Sequence, residues 1–169
     1  VYHGKLIDLA LELNDYPHWR SIIGKRDPHL KDQELILRFW AMYFSDQAYE
    51  PPMSEFINVF TKTHRNPHSR FLEEAKEVFT TTIDTFYKAL GSTVFRHQEH
   101  LNAAIFESMM YGLAQRLKHK PMPNNRALLK VYENLLADLE YTTAVTPETA
   151  HATWVALRLQ KAKERFATI

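Results

Sequence analysis

The chain predicts an all-α fold, a compact multi-helix bundle of about seven or eight helices. Three observations predict it. Apolar residues recur at three- and four-residue spacing along most of the 169 residues. Glycine occurs four times, too seldom for a protein built from many tight β-turns. Proline, glycine and asparagine fall between the apolar stripes and not inside them, where helices begin and end. Apolar residues make up 45% and aromatics 12%, enough for one core, so residues 1–169 read as a single helical domain.

The elements follow in order. "GKLIDLALELN" puts Leu6, Leu9, Ala10 and Leu13 on one face. "YPHWRSIIG" is a short helix, with Pro17 in its first turn and Gly24 as its terminal cap. Asp27-Pro28 reads as cap and first position of a helix running to Ser45. "PPMSEFINVFTKTH" aligns Met53, Phe56, Ile57 and Phe60. Asn66-Pro67 opens a long helix whose stripe is Phe71, Leu72, Ala75, Val78, Phe79, Ile83, Phe86 and Leu90, closed by Gly91. "STVFRHQEH" is a loop, and Asn102 caps a helix that turns Ile105, Phe106, Met109, Met110, Leu113 and Leu117 inward. After the connector "KPMPNN", "NRALLKVYENLLADLEY" is one helix, and Thr146-Pro147 opens the last. No segment alternates as a strand would.

The segment "LKDQELILRFWAMYF" poses the sharpest question, because charge interrupts a run that is otherwise apolar. At about 100° per residue, Lys31, Glu34, Arg38, Ala41 and Ser45 form one narrow strip. The remaining surface is apolar, so this helix belongs in the centre of the bundle. Glu34 precedes Arg38 by four residues, the favourable order for an ion pair within a helix. Asp32 projects to the apolar side, where a carboxylate requires a buried donor or a capping role. The strip reads as structural support, since no nucleophile, metal set or phosphate cradle accompanies it.

Other candidates carry less. His64 and His68 have metal-ligand spacing, but Pro67 lies between them. His97 and His100 flank Glu99 in a loop. A stand-alone enzyme with a metal between helices would need these four histidines to converge. Basic residues also gather at positions 62–70, but the candidates for phosphate binding fall in two places. Arg116, Lys118, Lys120, Arg126 and Lys130 flank the proline-asparagine connector, and Arg158, Lys161, Lys163 and Arg165 lie on the last helix. On one face they would make a non-specific, salt-dependent phosphate surface. A formal net charge of +1 favours plain helix solvation instead. The chain has no cysteine, which removes thiolate catalysis and cysteine-built zinc sites. No apolar run reaches membrane-spanning length, so a cytoplasmic location without membrane association is expected. No cofactor motif is present, and none is expected to be bound by this chain.

Four segments occur in the order of a known family: "YHGKLIDLALELN", "LKDQELILRFWAMY", "VFR" and "LNAAIFESMMYGLA". The chain resembles the helical region of the GmrS-like proteins, a large bacterial family with a ParB-like N-terminal domain. That family includes the GmrSD type IV restriction enzymes, which act against modified phage DNA. The resemblance covers nearly the whole chain and is strongest in "KDQELILRF". It implies a scaffold and coupling role, with the ParB-like domain of the same protein as partner, together with a nuclease domain or subunit and DNA. A start at valine, following that domain, fits the resemblance. The family's nucleotide-hydrolysing residues lie around an Asp-Gly-Gln-Gln-Arg motif that this chain lacks, and no motif of the nuclease domain is present either. No catalytic residue therefore carries over. What the resemblance implies is a structural polar seam of Lys31, Asp32, Glu34, Arg38 and Arg96. The alternative class is a helical protein-interaction module with no nucleic-acid role.

Overall fold

The computed structural model describes residues 3–169, and Val1 and the tyrosine that opens "YHG" lie outside them. Nine α-helices are present among these residues: α1 Lys5–Leu13, α2 Pro17–Ile23, α3 Lys31–Phe44, α4 Met53–Thr63, α5 Ser69–Leu90, α6 Ala103–Leu117, α7 Asn125–Ala137, α8 Leu139–Ala144 and α9 Ala152–Phe166. The all-α expectation holds. One small exception is an antiparallel hairpin in the 91–102 connection, β1 Arg96–His97 with β2 His100–Leu101.

Helix α6 forms the axis. From Ile105 to Ala114 nearly every side chain is buried, and α9, α3 and α5 surround it. Gly112 lets α6 and α9 meet backbone to backbone, because a methyl group there would come within 2.7 Å of the Ala162 carbonyl carbon. Helix α3 is also internal: Trp40 is fully buried and donates its indole N–H to the Ala75 carbonyl at 2.9 Å. Phe44 is half-buried and packs on Phe71, with ring centres 4.7 Å apart. Trp19, Phe79, Phe86, Phe95, Phe106 and Phe166 fill the space between helices. Each such buried ring is worth roughly 1.5–3 kcal/mol relative to exposure.

Several boundaries differ from the sequence expectation. α3 begins at Lys31, not after Asp27; the Asp27 carboxylate instead closes a turn onto the His29 N–H at 2.7 Å, and Leu30 stands in left-handed backbone (φ 57°). α9 begins at Ala152, not at Pro147, since Glu148 at φ 74° turns the chain first. α5 starts at Ser69, with the His68 ring accepting the Phe71 N–H at 3.2 Å as its cap. The 125–141 segment is two helices. Asp138 has extended backbone and its carboxylate caps α8 by accepting the Tyr141 N–H at 3.0 Å. Gly24, Gly91 and Asn102 act as expected. Asn102 Oδ1 accepts the Ala104 and Ile105 N–H groups at 2.9 and 3.0 Å.

Candidate functional site

The centre of the molecule contains a charge that the apolar pattern hides. Glu107 lies on α6 between Phe106 and Ser108 and is fully buried. Two arginines from other helices meet it. Arg38 of α3 donates its Nε–H to Oε2, and Arg158 of α9 donates Nε–H to Oε1 at 2.6 Å and places Nη2 against the same oxygen. Arg158 is itself 1% exposed, and its Nη1 reaches the carbonyls of Ala144 (3.0 Å) and Thr149 (2.8 Å). Helices α3, α6 and α9 and the 144–149 turn are thus joined at one carboxylate. Stranding either charge in this setting would cost several kcal/mol, which is why all three are kept in register. Arg38 therefore does not pair with Glu34 in its own helix. Glu34 and Lys31 are exposed and form no ion pair among the described residues.

Above this centre is an open pocket of about 330 Å³, walled by Arg38, the start of α6 at Asn102–Ala104, and the 145–150 turn, with Arg158 in its lining. Tyr49 donates its hydroxyl to the carbonyl of Ala150, one of the lining residues, at 2.8 Å. Burial raises the Tyr49 pKa; Arg38 and Arg158 nearby oppose the rise, and Glu107 adds to it.

The other seam residues are structural ties in separate places. Asp32 is 2% exposed and takes the Arg20 Nη1 at 3.0 Å and the Gln33 N–H at 3.0 Å. Burial opposes its ionisation, but hydrogen bonds with Asn14, Arg20 and the Gln33 and Asp27 amides outweigh that and hold its pKa below the usual range. Asn14 in turn accepts the Trp19 indole N–H at 3.0 Å. Arg96 donates to the Glu99 and Ile22 carbonyls, both at 2.9 Å, tying the hairpin to the end of α2.

Six of the nine basic residues are taken up by partners within the chain. Arg116 is buried, bonds the Ile169 carbonyl at 2.9 Å and the Pro121 carbonyl, and burial lowers its pKa. Lys120 caps the same C-terminal turn at Ala167 (2.6 Å). Lys118 sits over the Tyr43 ring at 4.2 Å. Lys161 bridges Asp138 (2.9 Å) and Glu140 (2.5 Å), and Arg165 reaches Asp138 at 3.6 Å. Arg158 belongs to the buried centre. Of the nine, Arg126, Lys130 and Lys163 are exposed and have no ion-pair, carbonyl or ring partner for their side chains among the described residues.

The histidines are dispersed. His64 ends α4, with Nδ1 3.0 Å from the Phe60 carbonyl and its ring stacked on Phe71, while His68 caps α5. His97 and His100 face each other across the exposed hairpin. Among the described residues no three metal-competent side chains come together, and no helix is long and apolar enough to cross a membrane.

Sequence reasoning missed Glu107. Its signal was present: a single acid within the apolar stretch "AAIFESMMYG" demands a cation in the core. Both of its partners were singled out, Arg38 for the seam and Arg158 for a phosphate surface, but not as a pair. No family model, no curated protein and no solved structure matches the chain.

Proposed function

We propose that this chain is the helical region of a GmrS-like phage-defence protein. In that protein it scaffolds a ParB-like domain and passes the state of that domain to a nuclease domain or subunit. The supporting observation is how the seam positions are used. Asp32, Arg38 and Arg96 each join separate elements, to Arg20, to Glu107 and to the Ile22 carbonyl. Such cross-links make the bundle move as a unit, which a coupling element requires. DNA contacts are non-specific and made by Arg126, Lys130 and Lys163, the exposed candidates whose side chains have no partner among the described residues. Two measurements test the reading. The coding sequence upstream of Val1 should encode a ParB-like domain with the Asp-Gly-Gln-Gln-Arg motif; an initiator methionine directly before Val1 would overturn it. A salt titration of duplex binding should show weak affinity that disappears as salt rises.

One observation favours a second reading, a protein-interaction module. A groove of about 370 Å³ runs between α1, α3 and α4, lined by Ile7, Leu37 and Ile57, and Leu30 at its edge is 53% exposed. No affinity for duplex DNA at low salt would favour this reading.

A further inference from the structure

The buried centre is not electrically balanced. It contains two guanidinium groups and one carboxylate, so one positive charge in it has no counter-charge. Arg158 uses every nitrogen: Nε and Nη2 on Glu107, Nη1 on the Ala144 and Thr149 carbonyls. Arg38 uses only Nε, and its two terminal nitrogens make no hydrogen bond to any described residue. Its side chain is 16% exposed, and it lines the 330 Å³ pocket. The excess charge is therefore presented to that pocket through the end of Arg38.

The start of α6 borders the same space. Ala103 and Ala104 at the start of α6 line the pocket. Asn102 takes the N–H groups of Ala104 and Ile105, which leaves the Ala103 N–H without a protein partner among the described residues. An arginine fork engages two oxygens of one oxyanion, and a helix-start amide can take a third. Glu148 is the one acid on the rim; it is exposed and forms no ion pair among the described residues. Its charge works against an anion in the pocket, and the excess charge at Arg38 has to outweigh it.

We propose that this pocket binds one small phosphate group, held by the Nη atoms of Arg38 with the Ala103 amide, while Glu107 fixes the arginine from behind. This inference stands on the charge and donor geometry and is independent of the family reading. The site binds and does not react: no bond to the ligand is made or broken.

The test uses the chain labelled with ¹⁵N and titrated with inorganic phosphate, against sodium chloride at matched ionic strength. Saturable shifts are expected at the Ala103 amide and the Arg38 Nε resonance. Arg38→Met should weaken phosphate binding about tenfold or more, the scale of a lost charge-assisted pair. That variant leaves Glu107 and Arg158 as a balanced pair, so it should fold; its unshifted amides elsewhere would verify this. Arg38→Lys should recover part of the affinity, since the charge remains but the fork does not. Non-saturating shifts, or equal affinity in Arg38→Met, would overturn the proposal. Saturation by a short DNA duplex but not by phosphate would also overturn it.

Discussion

Replacing Glu107 by leucine is the perturbation with the largest calculable effect. The side chain is fully buried and, among the described residues, is the only carboxylate bonded to Arg38 and Arg158. Leucine is apolar and somewhat bulkier, so any packing strain adds to the main loss, which is the counter-charge. Arg158 would then be left buried without a counter-charge, with the charge of Arg38 nearby at the pocket wall. Breaking a buried ion pair by removing one partner costs about 3–5 kcal/mol. For a chain of this length each kcal/mol lowers Tm by roughly 2–4 °C, so a fall of roughly 6–20 °C is expected. In urea the midpoint should drop by at least about 1 M, with the slope unchanged. Arg38→Met, measured alongside, should cost only about 1.5–3 kcal/mol, because Glu107 keeps Arg158 and only one charged hydrogen bond is lost. Arg158→Met should cost more than Arg38→Met, since the Ala144 and Thr149 carbonyls lose their donor as well. A Glu107→Leu penalty below about 1 kcal/mol would refute the reasoning, as would Arg38→Met proving the more damaging arginine change.

Further outcomes follow from the same physics. Asp32 has a lowered folded-state pKa, so its contribution is present above the unfolded-state carboxylate pKa of about 3.9 and is lost as pH falls through the lower folded value; Asp32→Asn should lower stability at neutral pH and flatten that acid limb in pH-dependent urea melts. Gly112→Ala should destabilise by about 1–3 kcal/mol, since its methyl would meet the Ala162 backbone. Gly91→Ala should cost roughly 1 kcal/mol, because φ is +74° there although the space is open; equal melting of variant and parent would contradict this. If the DNA proposal holds, replacing Arg126, Lys130 and Lys163 together by alanine should lower the salt slope of duplex binding by about one unit for each phosphate those side chains neutralise.

The helices were legible because core burial writes its period into the chain, and the stripe from Phe71 to Leu90 is α5 almost residue for residue. The errors fall where conformation carries no such signature. Leu30 and Glu148 adopt positive φ, which nothing about leucine or glutamate announces, so Pro28 and Pro147 appeared to open helices that begin later. The break at Asp138 has neither proline nor glycine; its only mark is an aspartate placed to cap Tyr141. The candidate site was half legible. Arg38 stood out as charge in an apolar helix, and the local rule offered Glu34 as its partner. The true partner is 69 residues away, and proximity created by packing α3 on α6 is invisible to a rule about spacing four. Arg158 looked like one more surface base because Lys161, Lys163 and Arg165 follow it on the same helix.

Amide hydrogen exchange tests the central claim most directly, namely that α3, α6 and α9 form one cross-linked framework fastened at Glu107. The amides of Leu35–Met42, Phe106–Leu113 and Val155–Ala162 should exchange last and together, at the rate of global unfolding. In Glu107→Leu these three stretches should accelerate as a group. Independent exchange of α9 ahead of α6 in the parent protein, or no change in the variant, would contradict the claim.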